Sequence, residues 1–282
     1  MKKFFLLIII SSVLAADCRA QRDDIGLFLG MSDYKGELSN SLFSIDFLHP
    51  AFGAYYRKNF NRHWGFRFAA TIGGISGDDA YSKYDYEVNR NLNFSSAIQE
   101  VSGTFEFNFL PFEVDNYNYA FTPFFFWGLS VVHFNPVTEY KGVEYELQPL
   151  ATEGQETYYN PKNKKYSLYS AAMPFGGGFK IAGEDRLGFT IECGVRRAYT
   201  DYLDDVSTIY PDKHIQLLEN GPVSVALSDR SLGENPLEIP GKQRGNPDNP
   251  DWFMFIGASA YIAIGSKYKY SCRPFHRSRH SR

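Results

Sequence analysis

The chain has 282 residues, 29 basic and 32 acidic side chains, and a formal net charge of −3, so a soluble reading would allow one or two domains. Its hydropathy is mildly polar, and no apolar run beyond the N-terminus reaches about 18 residues, which excludes a transmembrane helix. Aromatics make up 17% of the chain, and with 24 Gly they suit a β-barrel with aromatic girdles and small residues on crowded faces.

The N-terminus reads as an export signal over residues 1–20. Lys2 and Lys3 form the basic region, Phe4 to Leu14 the apolar core, and Ala20 a small residue before Gln21. The core is too short to span a membrane. A lipoprotein reading would use Cys18, but Asp17 stands where a small residue is needed. Loss of Lys2, Lys3, Arg19 and Asp17 leaves 26 basic against 31 acidic side chains, a mature charge of −5.

Strand patterns follow in order over residues 21–265. The first strand is expected at about Ile25 to Met31. The second, about Ala51 to Phe60, sets Phe52, Ala54 and Tyr56 against Gly53, Tyr55 and Arg57, and Asn61-Arg62-His63 makes a tight turn. The third, Trp64 to Gly74, places Trp64, Phe66, Phe68, Ala70 and Ile72 on one face. The fourth, about Ala97 to Phe109, has the sharpest alternation. Val101, Gly103, Phe105, Phe107 and Phe109 oppose Ser102, Thr104, Glu106 and Asn108. Its length suits a tilted span of hydrocarbon, roughly 9–11 residues. The fifth, about Tyr119 to His133, is apolar on both faces and its orientation stays open. The sixth is expected at about Ala171 to Ile181, the seventh at Leu187 to Ala198 and the eighth at Trp252 to Ile264.

Connection lengths alternate. The turns after the second, fourth and sixth strands are short. The links after the first, third, fifth and seventh are long, at about residues 32–49, 76–94, 135–170 and 200–251. A closed meander with an even strand count sorts its connections in this way. The expected fold is all-β: an eight-stranded antiparallel transmembrane β-barrel of outer-membrane type, an up-and-down meander with long external loops and periplasmic termini. Eight strands enclose only enough room for side chains.

The inward set then includes Arg57, Arg67, Glu100, Glu106, Lys180, Glu192 and Arg196. Buried charges of mixed sign should pair, giving an ion-paired plug rather than a pore. The plainer alternative is a set of lumen-facing polar residues in partial water.

No catalytic constellation is evident: HExxH, GxSxG and phosphate-loop patterns are absent, and the six His lack ligand spacing. No cofactor, metal or nucleic acid is implied. Asp201, Asp204 and Asp205 could hold a cation through carboxylate oxygens. They could equally cap a helical turn or pair with Arg196 and Arg197, and no twelve-residue calcium loop accompanies them. Gly176-Gly177-Gly178 within a strand reads as close packing. Cys193 falls on an apolar face and Cys272 in the tail, which favours two unpaired thiols over a disulfide.

Residues 266–282 carry Lys267, Lys269, Arg273, Arg277, Arg279 and Arg282 and no acid. This +6 tail follows a mature body of −11 and suits an acidic partner surface or anionic headgroups, or else a solvated end.

Several stretches are similar to a known family: GLFLGMSDYKGEL, YYRKNFNRHWGFR, TFEFNFLPFE, FTPFFFWGLSVVHFNP, PLATEGQ, TDYLDDVSTIY and RGNPDNPDWFMFIG. They resemble the DUF6089 family over almost the whole mature chain. That family includes PorG-like outer-membrane barrels of the type IX secretion system. The resemblance implies a non-enzymatic accessory barrel associated with periplasmic ring proteins of the PorK and PorN type. A small porin or a surface adhesin are the alternatives. The chain departs from common outer-membrane barrels by continuing past its last strand instead of ending on an aromatic residue.

Overall fold

The computed structural model describes residues 22–39, 43–158, 161, 163–232 and 240–265. The expected export signal and basic tail lie outside these residues. Nine strands form one antiparallel sheet: β1 (Asp23–Lys35), β2 (His49–Asn59), β3 (Trp64–Asp78), β4 (Asn93–Asn108), β5 (Phe121–Tyr140), β6 (Val143–Glu146), β7 (Tyr169–Ala182), β8 (Leu187–Ala198) and β9 (Trp252–Ile264). Pairing runs β4-β3-β2-β1-β9-β8-β7-β5, and β4 also pairs with β5. Eight strands therefore close on themselves, which leaves no open edge along the barrel wall.

The alternation read from the sequence sets the two faces. On β4, Val101 and Phe105 point out while Ser102, Thr104, Glu106 and Asn108 are buried. The outer face is unsuited to water. Leu27 is 70% exposed, Leu129 67% and Ile191 59%, within a continuous band that also includes Leu29, Phe52, Phe68, Val101 and Phe189. A soluble protein would not leave so broad an apolar belt uncovered, and hydrocarbon is the solvent that matches it. Toward the short-turn end the belt becomes aromatic. Trp64 lies 4.8 Å from Phe107 and 5.9 Å from Trp127 between ring centres, and Phe121 stacks on Phe179 at 5.8 Å. Cys193 lies on this outer face and is free.

Strand β5, whose orientation the sequence leaves open, turns Thr122, Phe124, Phe126, Ser130, Val132 and Phe134 inward. Two apolar faces arise because its outer residues meet lipid and its inner residues pack against other aromatics.

The strands differ from expectation at the long-loop end. Pairing continues past Gly74 to Asp78 on β3 and past His133 to Tyr140 on β5. The stretch read as a loop after the fifth strand also contains β6, a hairpin partner of β5. Lys141 and Gly142 both take positive φ, 54° and 78°, the conformation of a tight two-residue hairpin. Beyond the lipid belt the inward residues Ile75, Phe94, Ile98, Val132 and Phe134 join Leu38, Leu147, Leu203, Val206 and Leu227 from the connections in one hydrophobic core. The long connections thus build a packed cap on the barrel end.

The short turns are simpler. At the β2–β3 turn Asn61 Oδ1 accepts from the backbone N–H groups of His63 and Trp64, both at 2.9 Å. An Asn side chain closing its own turn in this way explains why the link can be so short.

An arginine on the lipid face near the midplane of such a barrel costs about 2–4 kcal/mol. Leu129→Arg is therefore expected to abolish heat-modifiable gel migration, while Leu129→Ala retains it. Equal folding of the two variants would show that this face does not meet lipid.

Candidate functional site

Two polar systems occupy the interior: one in the lumen, one in the cap. The lumen system converges on Glu106, a fully buried residue of β4. Its Oε2 lies 2.8 Å from Arg57 Nε and 2.5 Å from Lys180 Nζ, and its Oε1 lies 3.1 Å from Arg67 Nε. The two arginine contacts are short but not aligned as hydrogen bonds; Lys180 donates properly, and donates again to Asn108 Oδ1 at 2.9 Å. Arg67 also donates to Glu192 Oε2 at 2.6 Å, Arg57 reaches Asp24 at 3.4 Å, and Arg196 pairs with Glu100 at 3.3 Å. Four cations, Arg57, Arg67, Lys180 and Arg196, thus meet four acids, Asp24, Glu100, Glu106 and Glu192, all buried. Aromatic rings fill the space between them. Arg57 lies over Tyr55 and Tyr261 at 5.0 and 5.1 Å, Arg67 over Phe126 at 5.0 Å, and Lys180 over Phe124 at 4.6 Å. Such faces favour a desolvated cation.

Glycines make this packing possible. A Cβ at Gly194 would come within 2.4 Å of the Phe126 ring, and one at Gly176 within 2.8 Å of the same ring. The Gly176-Gly177-Gly178 run is thus a packing feature.

In the cap, Arg244 is held by Glu153 at 3.0 Å and donates to the Asp205 carbonyl at 2.5 Å, with the Asp205 carboxylate at 3.8 Å. Asp205 also accepts from the Thr152 hydroxyl and from the Tyr166 phenol, the latter at 2.7 Å. Arg90 pairs with Asp79 at 2.7 Å and donates to the carbonyls of Arg244 and Glu37, each at 3.0 Å. The helix Lys213–Ser228, kinked where Gly221 takes φ 85° before Pro222, is tied in by Gln216 and Ser228, whose side chains donate to the Ala151 and Thr152 carbonyls.

Beside this balanced network stands an unbalanced one. Glu37, Asp204 and Asp251 each offer a carboxylate oxygen, all within 4.8 Å of one another. Burial pushes the Glu37 carboxyl up to about 9, with repulsion from Asp204 and Asp201 adding to it. Burial likewise raises Asp201 to about 8, against some relief from nearby Ser207, and Asp204 to about 7. Asp251 is raised by burial and then by Asp204, Glu37 and Asp201. Asp205 rises only to about 6, because Arg244 opposes the effect of burial.

A family model described as a domain of unknown function, DUF6089, matches residues 2–224. The chain belongs to the DUF6089 family. No curated protein sequence matches it. Among solved structures, this DUF6089 barrel is similar to Neisserial surface protein A at 7% identity, covering 86% of this chain and 97% of that one, with a TM-score of 0.40. It is similar to OprG from Pseudomonas aeruginosa at 11% identity, 88% and 100% coverage and a TM-score of 0.38. The attachment invasion locus protein Ail of Yersinia pestis gives 10%, 86% and 99%, and 0.37. The architecture of the DUF6089 chain rests on its own strand pairing.

The structure places Arg57, Arg67, Glu106, Lys180 and Glu192 in one connected set, with Glu100 and Arg196 as a separate pair. Sequence reasoning missed Asp24, which the same alternation would have found had β1 been started one residue earlier. It also missed Glu37, Glu153, Arg244 and Asp251, which lie far apart in loops without periodicity. Of the alternatives for the Asp201, Asp204 and Asp205 carboxylates, pairing with Arg196 and Arg197 does not hold, whereas Asp204 Oδ1 caps its own turn by accepting from Val206 N–H at 2.9 Å. Arg196 points into the lumen and Arg197 lies exposed on the outer face of β8. Asp205 pairs with Arg244 instead, and the three lie in a bent connection rather than at a helix start.

Breaking a buried ion pair by removing one partner costs about 3–5 kcal/mol, because the remaining charge is left uncompensated. Glu106→Gln is expected to lower the urea midpoint of the refolded barrel on that scale. Lys180→Met in the Glu106→Gln background should recover part of the loss by removing one stranded cation. Additive losses in this double-mutant cycle would mean the two groups are not coupled.

Proposed function

We propose that this DUF6089 barrel is a non-enzymatic accessory component of a type IX protein-secretion machine, integral to the outer membrane. Its short turns and termini would face the periplasm and its cap the exterior. The observation that carries this reading is the lumen. Four cations and four acids neutralise one another among packed aromatic rings, so the barrel suits a membrane-fixed platform better than a conduit. The secretion role itself rests on family resemblance, as do the ring partners of PorK and PorN type. The basic tail, Lys267, Lys269, Arg273, Arg277, Arg279 and Arg282, would dock on an acidic face of such a ring. A porin function is disfavoured by the filled lumen. A surface adhesin is the second reading, favoured by the ordered cap that the long connections build at one end.

Crosslinked pull-down from membranes should recover periplasmic ring proteins, and purified protein should give no steady conductance in planar bilayers. Recovery of no secretion component would remove the machine assignment. Protease shaving of the cap that abolishes surface attachment while secretion continues would favour the adhesin. Deleting residues 266–282 should leave a folded barrel but reduce partner recovery, most strongly at low salt, because at higher salt screening over about 8 Å already weakens the attraction of the intact tail. Undiminished recovery at all salt concentrations would remove the tail from the interface.

Orientation is tested separately. Glu184 is exposed at a short turn and Leu218 is 85% exposed in the cap. With Cys193 and Cys272 replaced by serine, Leu218→Cys should react with a membrane-impermeant reagent on intact cells and Glu184→Cys should not. The opposite pattern would invert the barrel.

A further inference from the structure

We propose that the cap holds a calcium-class divalent cation between Glu37, Asp204, Asp251 and Asp201. Three carboxylate oxygens, from Glu37, Asp204 and Asp251, lie within 4.8 Å of one another. An ion among three oxygens no farther apart than that sits at most about 2.8 Å from each, which accommodates Ca–O bonds of roughly 2.3–2.6 Å. A hard cation of this class takes carboxylate oxygens as its ligands, and Ca²⁺ tolerates the irregular geometry that loops provide better than Mg²⁺ does.

Two independent features point to a missing positive charge. The first is Asp201. It is only 9% exposed, and neither of its buried carboxylate oxygens has a well-formed hydrogen bond, the nearby Ser207 side chain giving it only partial relief. Its charge is felt at both Glu37 and Asp251, so it adds to the excess of negative charge around the three acids. Glu37 Oε2 is also buried without a hydrogen-bond partner. An unpartnered carboxylate is costly to bury, and it is normally kept by pairing or by a metal.

The second feature is the Tyr34 phenol. Its oxygen lies 2.7 Å from Asp204 Oδ2 and 2.9 Å from Asp251 Oδ1. A phenol carries one proton and can donate to only one of them. The other carboxylate oxygen faces the phenol oxygen with no proton between them, unless that acid is itself protonated or a cation supplies positive charge. The outer oxygens of both acids are already fixed: Asp204 Oδ1 accepts from Val206 N–H and Asp251 Oδ2 from Leu203 N–H, each at 2.9 Å. The cations whose fields reach Asp204 are committed elsewhere, Arg90 to Asp79 and Arg244 to Glu153.

The backbone is shaped around this centre. A Cβ at Gly36 would fall within 2.1 Å of Asp251 Oδ1 and closer still to the Tyr34 hydroxyl. Only glycine lets the β1 exit pass so near the acids while Glu37, the next residue, turns toward them.

The test uses the full-length barrel, refolded in detergent and stripped with EDTA. Terbium is the probe, because it substitutes for calcium and Tyr34 is placed to sensitise its emission. Tyrosine-excited terbium emission should saturate at one equivalent and be displaced by Ca²⁺ well before Mg²⁺. Asp201→Asn and Glu37→Gln, which keep shape and remove charge, should each weaken Ca²⁺ competition at least tenfold. Glu113→Gln at the short-turn end should leave it unchanged. Heat-modifiable migration confirms that each variant is folded. In addition, Ca²⁺ should slow proteolysis of the wild-type cap and have no such effect on Asp201→Asn. Absence of displaceable emission from the folded wild type would overturn the site and leave protons alone to neutralise these acids. Equal binding by Asp201→Asn, Glu37→Gln and wild type would overturn it too.

Discussion

The main charge network of the lumen depends on Glu106, with Glu100 and Arg196 standing beside it as a separate pair. One carboxylate takes contacts from Arg57, Arg67 and Lys180, which come from three other strands. The cations are in turn shared with Asp24 and Glu192. An eight-stranded barrel has no room for bulk water to hydrate such charges. They must therefore satisfy one another, and equal numbers of each sign let them do so. The cost of desolvation is large, so the network is better viewed as fixing strand register than as adding stability. A slip of one residue on any strand would send its charge into lipid.

Much of this was legible in the sequence, because a barrel obeys two simple periodicities. Alternation on β4 and β8 assigns Glu106 and Glu192 to the interior from composition alone. The sorting of short and long connections then gives closure. What could not be read was where the belt ends. Ile75 and Phe134 look like continuations of a strand or like loop, and only the packing of Leu38, Leu203 and Leu227 against them decides that they form the cap core. The β6 hairpin was hidden for a related reason: Lys141-Gly142 is a weak turn signal beside Asn-Gly. Glu37, Asp204 and Asp251 meet because the β1–β2 connection and the two ends of the β8–β9 connection fold over one barrel mouth, and no spacing in the chain encodes that meeting.

The two polar systems differ in how their charge is neutralised. In the lumen each acid has an arginine or lysine within reach. In the cap, Glu153, Asp205 and Asp79 are paired in the same manner through Arg244 and Arg90. Fully buried Asp33 has no cation either, but it accepts from the backbone N–H groups of Tyr34, Phe43 and Ser44; Glu37, Asp201, Asp204 and Asp251 gather with fewer such partners. Cations were available in the same few loops, and they are spent on neighbouring acids. That contrast is why this group of four reads as a site and not as careless burial.

The cap and the lumen are also mechanically continuous. Strand β1 carries Asp24 in the lumen and Tyr34 at the acid centre, with Gly26, Phe28, Gly30 and Ser32 on the same inward face between them. The strand is paired on both sides along nearly its whole length, to β2 and to β9. Tightening the acid centre would therefore pull on a strand whose other end is clamped by Arg57 and Asn59. The strand thus joins the charge network of the lumen to the acid centre of the cap, so a change at either end has a direct covalent and hydrogen-bonded route to the other.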